Sequence, residues 1–258
     1  MYQALRYYGG KSPAGPLNRW IREQLPYGEI YAEPFCGMAG ILLARNPSQL
    51  EIINDIDGRV SNWWHQVREQ NPDFLQHLEF TAWDEHLYNQ IFSTDWDTKP
   101  AWWKAWAFTV ICEQSFSSDL STKHFKRPFQ ASSAFSELCL SKILKVAERI
   151  KQVHIYNMDA IKFTSQLVKR PEAVIYLDPP YFTANDNYKH RNFDREALTQ
   201  LLSTSAARCA ISGYPGEWDH LRWNHTDFDR TTTTGSSAAE RTERLWANFE
   251  LCPQNSLF

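Results

Sequence analysis

The sequence predicts an α/β chain: an open, mostly parallel sheet interrupted by one long, largely helical insertion. Three observations predict it. The run Val174–Leu177 is apolar throughout and stops at Asp178, the pattern of a parallel strand buried on both faces. Residues 29–44 read as strand, acid, glycine turn and helix, and a second strand ending in acids follows over 51–57. Between 70 and 151 the strand pattern lapses, and Trp83, Trp96, Trp102, Trp103 and Trp106 mark a helical segment.

The 258 residues suffice for one large α/β domain, or for a core domain with a smaller insertion. A hydrophobic fraction of 43% against 22% charged residues predicts a packed core. No apolar run is long enough to span a bilayer, and residues 1–6 show no secretory segment, so the cytoplasm is the expected compartment, with no membrane partner. Cys36, Cys112, Cys139, Cys209 and Cys252 are scattered without a C-x-x-C pair, which argues against disulfides and structural zinc and for buried thiols. The histidines show no ligand spacing, so no metal is expected. Net charge is -3, so any nucleic-acid footprint must be local.

Taken in order, residues 5–11 contain Tyr7-Tyr8-Gly9-Gly10-Lys11. The glycines permit close backbone approach, either tyrosine could pack on a flat ligand, and Lys11 could pair with a carboxylate. A surface turn with a solvated lysine is the plainer reading. Leu17, Trp20, Ile21 and Leu25 then predict a helix over 13–25. In the next turn, Glu33-Pro34-Phe35-Cys36-Gly37 leads into Gly40 and a helix. Gly37 and Gly40 let backbone amides approach a ligand, and the acid favours a cationic or hydroxyl-bearing one over a phosphate. Asp55, with Ile56 beside it, lies about twenty residues on, where an acid commonly accepts from ribose hydroxyls. Asp57 is a second candidate, or a cap for the helix expected from Arg59 to Glu69.

In the insertion, a helix is expected over 100–112. Between Ser121 and Lys151 seven cations face two carboxylates, a net +5. Lys123, Lys126 and Arg127, interleaved with phenylalanines and serines, suit phosphate contacts and base stacking. Lys142, Lys145 and Arg149 could equally form a solvated helix face. Strand pattern resumes over 153–158 and ends in Asp159, which could contact a ligand amine or cap the next helix.

The turn Asp178-Pro179-Pro180-Tyr181 follows the buried strand. Each proline fixes φ, and Pro179 holds Asp178 extended. The carboxylate and a backbone carbonyl can accept from an amino group, while Tyr181 offers a ring on which a base could stack. The loop 182–195, with Tyr188 and Arg191, should lie beside this turn. A helix over 194–202, a strand over 209–214, a flexible hydroxyl loop over 231–237 and a last strand over 241–249 complete the chain. In that strand Leu245, Ala247 and Phe249 share one face.

These turns form an ordered set: Tyr-Tyr-Gly-Gly-Lys at 7–11, Glu-Pro-Phe-Cys-Gly at 33–37, Asn-Asp-Ile-Asp at 54–57, the insertion, and Asp-Pro-Pro-Tyr at 178–181. The set resembles the Dam-like (D12 class) adenine-N6 DNA methyltransferases of the α group. Phe125-x-x-Pro128-Phe129 is similar to an element of that family's recognition domain, and residues 242–246 to C-terminal stretches of phage-borne members. Tyr7-Tyr8 stands where the family usually has Trp-Ala, and Met38-Ala39 where a more Gly/Ser-rich turn is common.

The resemblance implies a Rossmann-like methyltransferase sheet over 1–58 and 152–258, with a target-recognition insertion over 59–151. It implies S-adenosyl-L-methionine as cofactor, held by Tyr7, Tyr8, Gly10, Lys11, Glu33, Pro34, Phe35, Gly37, Asp55, Ile56, Asp159 and Asp178. It implies double-stranded DNA as partner, contacted by Lys123, Lys126, Arg127, Tyr188 and Arg191. Asp178, Pro179, Pro180 and Tyr181 would be catalytic, acting on an adenine flipped out of the duplex. A monomer or weak dimer, with or without a companion restriction enzyme, is expected. Cytosine N4, adenine in RNA, or a catalytically dead DNA-binding protein of the same fold are the alternatives. A nicotinamide enzyme is disfavoured, because the glycine turn lacks G-x-G-x-x-G.

Overall fold

A computed structural model describes residues 4–7, 9–115, 123–127, 135–181, 193–234 and 237–252. Among the described residues, seven strands form one sheet: β1 (Ile30–Glu33), β2 (Leu50–Asn54), β3 (His154–Tyr156), β4 (Ala173–Leu177), β5 (Arg208–Gly213), β6 (Asn224–Thr234) and β7 (Ser237–Ala247). Their order across the sheet is β3-β2-β1-β4-β5-β7-β6. The first five pair in parallel, and β7 runs antiparallel to both of its neighbours. Strand order therefore reverses between β1 and β4, the position at which open α/β sheets bind ligands.

Alternation along each strand divides the core between two faces. Tyr31, Ile53, Val174, Tyr176, Ala210 and Leu245 pack on one side. Ala32, Ile52, Ile175, Leu177, Ile211 and Trp246 pack on the other. All five residues of β4 are buried, which accounts for the unbroken apolar run. Burying each of its larger side chains stabilises the fold by roughly 1.5–3 kcal/mol.

On the first face lie α1 (Pro16–Gln24), α2 (Gly40–Ala44), α3 (Gly58–Arg68), α4 (Pro72–Glu79), α5 (Glu85–Ser93), α6 (Ala101–Gln114) and α7 (Phe135–Arg149). The helices between β2 and β3 share this core with the sheet. Helix α6 is apolar on all sides and buried over most of its length, so it forms the centre of the helical layer. Two further helices, α8 (Ala160–Ser165) and α9 (Arg195–Ser203), cover the second face. Asx side chains start many of these helices: Asp57, Asn71, Asp84, Asp159 and Asp194 each accept a first-turn amide. Among the described residues, no helix is long and apolar enough to cross a membrane.

The C-terminal region departs from expectation. Thr231–Thr234, expected in a flexible loop, form the end of β6, and β7 begins at Ser237 rather than Arg241. A run of threonines suits a pleated strand, and here it pairs with Ser237–Glu240. Without apolar alternation, β6 left no trace in the sequence pattern. Of the cysteines, Cys36, Cys112, Cys139 and Cys209 are buried thiols as expected, whereas Cys252 is exposed.

Candidate active site

The site lies at the carboxyl ends of β2, β1, β4 and β5, and each strand delivers one part of it. Strand β4 ends in Asp178 and β1 in the Glu33–Gly37 turn, and direct pairing of these strands brings the two turns side by side. The next strand out, β2, supplies Asp55, and β5 supplies Ser212 and Tyr214.

The N-terminal segment crosses this edge. A Cβ placed on Gly40 would lie 2.0 Å from the Lys11 carbonyl oxygen. Only glycine allows so close an approach, and Asn18 Nδ2 holds the same carbonyl at 3.2 Å. Tyr7 lies over the turn, with its ring atoms 3.4 Å from where a Gly37 side chain would begin. Gly37 itself has φ +45°. Its carbonyl accepts from the Trp64 indole at 2.8 Å and its amide donates to Asp55 Oδ2 at 2.9 Å.

So anchored, Lys11 reaches Asp178, with Nζ 2.5 Å from Oδ2. Ser212 Oγ donates to Asp178 Oδ1 at 2.8 Å, and Tyr181 OH lies 3.1 Å from the same oxygen. Lys11 Nζ also donates to Tyr181 OH at 3.0 Å. The Tyr181 hydroxyl further contacts Glu243 Oε2 at 2.8 Å, from a carboxylate buried on β7. Burial first, then the charges of Asp178 and Glu243, push the Tyr181 hydroxyl well above its ordinary pKa. It therefore remains a proton donor at neutral pH. The Tyr214 ring meets that of Tyr181 edge-on, with centroids 4.9 Å apart.

Lys11 and Ser212 thus orient the Asp178 carboxylate, which can accept about four hydrogen bonds, while the one Tyr181 proton is divided between Asp178 and the nearer Glu243. Roughly one to two acceptor positions remain for an incoming amino group. Pro179 is buried and Pro180 half-buried, so the turn is held by packing as well as by its fixed φ angles.

Asp55 accepts from the amides of Gly37 and Asp57, both at 2.9 Å. Burial raises its pKa to about 6, against the lowering effect of those amides. The neighbouring Ile56 side chain is 43% exposed, an apolar surface beside an oriented acid. Phe35 is half-buried against Phe193, and Pro34 is buried, with its carbonyl accepting from Asn54.

The Glu33 carboxylate is directed inward. Its Oε1 accepts from Tyr31 OH at 2.9 Å and from the Leu42 amide in the first turn of α2 at 2.7 Å. Burial raises its pKa to about 7. Its contacts therefore shape the turn. Asp159 is exposed and accepts from the amides of Ile161 and Lys162, the capping alternative raised by the sequence. Gly10 is exposed, and its amide closes a turn on the Tyr7 carbonyl.

Of the residues expected to contact DNA, Lys123 and Arg127 are exposed and Lys126 is half-buried. Their segment is pinned by its backbone: the Lys126 amide donates to Gln114 O, and Trp83 Nε1 donates to Lys126 O. Phe125 packs against Trp83 and Tyr88, so it anchors the segment. Arg127 pairs with Glu85 at 2.5 Å. Arg149 belongs to the framework, bound to Glu51 and the Leu42 carbonyl. Tyr8, Pro128, Phe129, Tyr188 and Arg191 lie outside the described residues.

Sequence reasoning missed Ser212, Tyr214 and Glu243. The first two stand where strand-end logic, applied to β5, would have found them. Glu243 continues the Leu245–Ala247–Phe249 face with a period of two, so an acid was legible on an inward face.

The sheet order, the lone antiparallel β7 and the ligand-side cluster on β2, β1 and β4 define a Rossmann-like methyltransferase domain. The model of the D12 class N6 adenine-specific DNA methyltransferases matches residues 7–234, and the chain belongs to that family. No curated protein matches it. Among solved structures, an rRNA methylase from Streptococcus thermophilus is 10% identical, with 92% of this chain and 97% of the other covered and a TM-score of 0.39. A Streptococcus mutans protein in complex with SAH is 9% identical, with 92% and 99% covered and a TM-score of 0.35. Such distant likeness carries no argument, and the assignment rests on the family match.

Membership makes the protein an enzyme that transfers a methyl group from S-adenosyl-L-methionine to adenine N6 in DNA. The residues present fit that cofactor. Asp55 presents oriented carboxylate oxygens suited to ribose hydroxyls, Ile56 presents an apolar surface beside them, and Gly37 brings backbone close.

Proposed function

We propose that this protein is a site-specific methyltransferase of double-stranded DNA that draws its target adenine into the pocket formed at Asp178–Tyr181. The observation that carries the reading is the anchoring of Asp178 by Lys11 and Ser212, with Tyr181 bridging it to Glu243, one strand away from the Gly37 turn.

A base stacked in a duplex cannot reach a carboxylate set at a sheet edge, so the nucleotide must leave the stack. The Asp178 carboxylate and the Pro179 carbonyl accept hydrogen bonds from the two N6–H groups, which turns the nitrogen lone pair out of conjugation with the ring. The Tyr181 ring stacks on the extruded base. The cofactor, when bound, supplies a sulfonium-activated methyl group. As N6 gains that carbon it gives up one proton, and Asp178 is the base at hand. Lys11 and Ser212 hold the acceptor still, so catalysis rests on positioning and electrostatics. Tyr7, the backbone of Gly10, Pro34, Phe35 and Gly37, and the side chains of Asp55 and Ile56 would hold the cofactor, Asp55 through carboxylate oxygens suited to hydroxyl groups and Ile56 through its apolar surface. Glu33 supports this turn from beneath, and Asp159 contributes through the start of α8.

Residues 59–151 form the target-recognition part in this reading, with Lys123, Lys126 and Arg127 on phosphates and Tyr188 and Arg191 as further DNA contacts. The protein works in the cytoplasm as a monomer or weak dimer, alone or beside a companion restriction enzyme. Incubating unmethylated genomic DNA with methyl-labelled cofactor, then digesting to nucleosides, tests the reading. Label in N6-methyladenine at a fixed sequence context is expected. Label in N4-methylcytosine, or only in RNA, would overturn it.

A further inference from the structure

Glu243 stands on β7 one residue past Arg244, where the pairing of β7 with β5 ends, and opposite Phe228 on β6. It is 3% exposed, on the face that continues through Leu245 and Ala247 into the core. A carboxylate withdrawn this far from water is costly unless strong hydrogen bonds compensate it. Its position beside the catalytic turn supplies a reason to keep it there.

The reason lies in the count of protons and lone pairs around Asp178. Ser212 Oγ lies 2.8 Å from Asp178 Oδ1 and 3.4 Å from the Leu177 carbonyl, so Asp178 is the nearer acceptor of its proton. The Tyr176 hydroxyl, 3.0 Å from Ser212 Oγ, then donates to that oxygen. Burial first, then the Asp178 charge, hold Tyr176 protonated for this role. One lone pair of Oδ1 is therefore occupied, and Lys11 occupies one on Oδ2. Tyr181 accepts from Lys11 and has a single proton to give, with Glu243 Oε2 at 2.8 Å and Asp178 Oδ1 at 3.1 Å. Were that proton to turn to Asp178, both lone pairs of Oδ1 would be filled. The vacancy left on Oδ2 lies beside the Lys11 ammonium, a poor place for another N–H donor.

We infer that Glu243 is a positioning residue that draws the Tyr181 proton away from Asp178 and so keeps Oδ1 open for the amino group of the target base, an inference that rests on the reading of the site given above. Glu243 touches neither substrate nor cofactor in this role. It acts through the direction of one hydroxyl.

The test is the single-turnover rate of methyl transfer to fragmented genomic DNA, with enzyme and methyl-labelled cofactor in excess, in Glu243→Met, Tyr181→Phe and the double variant. Methionine keeps the length of the side chain and offers only a weak acceptor. Glu243→Met should lower the rate by about tenfold, the worth of one hydrogen bond, with cofactor affinity unchanged. Tyr181→Phe should be the milder single variant. Adding Tyr181→Phe to Glu243→Met should raise the rate to that of Tyr181→Phe alone, because the misdirected proton is gone. A residue that merely anchors the Tyr181 ring or packs β7 predicts no such recovery. A double variant as slow as Glu243→Met, or slower, would overturn the inference while wild-type turnover upholds the reading of the site. If Glu243→Met fails to fold, as judged by circular dichroism and cofactor binding, the same comparison in Glu243→Leu decides. Absence of N6-methyladenine with the wild-type protein would overturn the reading of the site and this inference with it.

Discussion

Lys11 Nζ lies 2.5 Å from Asp178 Oδ2, joining two turns that are 167 residues apart in the chain. The lysine side chain is only 6% exposed. Its partner is therefore oriented from a largely dehydrated position, and the N-terminal segment becomes part of the catalytic turn.

Removing either member should cost activity far more than cofactor affinity. Asp178→Ala should lower the methyl-transfer rate by roughly 10²–10³-fold or more, as loss of a preorganised electrostatic group does. Lys11→Met should lower kcat by about 10²-fold through misplacement of the carboxylate. Label transfer at saturating DNA and cofactor measures both. Near-normal turnover in Asp178→Ala would remove it from the mechanism.

Gly40→Ala provides a test at a distance from the chemistry. The added methyl would meet the Lys11 carbonyl at 2.0 Å, so the N-terminal segment must move. Overpacking of this kind costs typically 1–3 kcal/mol, and Lys11 should leave Asp178 as the segment shifts. A lowered Tm together with a loss of turnover close to that of Lys11→Met is expected.

Tyr181 separates ring from hydroxyl. Tyr181→Phe keeps the ring but breaks the links to Asp178, Lys11 and Glu243. Tyr181→Ala also removes stacking, worth about 1–3 kcal/mol per base. Rates should fall in the order wild type, Phe, Ala, with KM for DNA rising mainly in the alanine variant. Equal KM values in the two variants would argue against stacking.

Glu33 and Asp55 make stability depend on pH with a defined sign. Burial raises Glu33 from 4.5 to about 7 and Asp55 from 3.8 to about 6. Between those limits the folded chain keeps protons that the unfolded chain has released. Stability should therefore fall as pH rises from about 4 to 7, by on the order of 3 kcal/mol for Glu33 alone. Thermal melts across this range should show the decline, and Glu33→Gln should reduce it, leaving the Asp55 contribution up to about pH 6 and little slope above that. A wild-type Tm that rises from pH 5 to 7 would contradict the assignment.

At the helical insertion, Lys126→Ala should weaken DNA binding and reduce the salt slope by about one. Arg127→Ala should do less, because Glu85 already engages its guanidinium. Binding isotherms at several salt concentrations separate the two, and identical slopes would strike both from the phosphate contacts.

The parts of the site that were legible in the sequence are those read from strand ends. Asp178, Asp55 and the Glu33–Gly37 turn follow from apolar runs terminated by acids, a pattern imposed by a parallel sheet buried on both faces. The pairing of Lys11 with a carboxylate could be named, but its partner could not, because chain spacing does not encode a contact across 167 residues. Glu33 shows a different gap. Its spacing suits a ligand contact, yet its carboxylate bonds Tyr31 and Leu42 inside the fold. Strand β6 escaped notice because its sequence lacks apolar alternation, while its backbone pairs with β7 along its whole length.

Because β7 sits between β5 and β6, residues near the end of the sequence fill the interior of the sheet. During synthesis on the ribosome, β5 would emerge with a bare pairing edge and wait for more than twenty further residues. An uncovered strand of this kind is a template for association between nascent chains. Completion of this sheet therefore waits on the β6–β7 hairpin, which must arrive before neighbouring chains can compete for that edge.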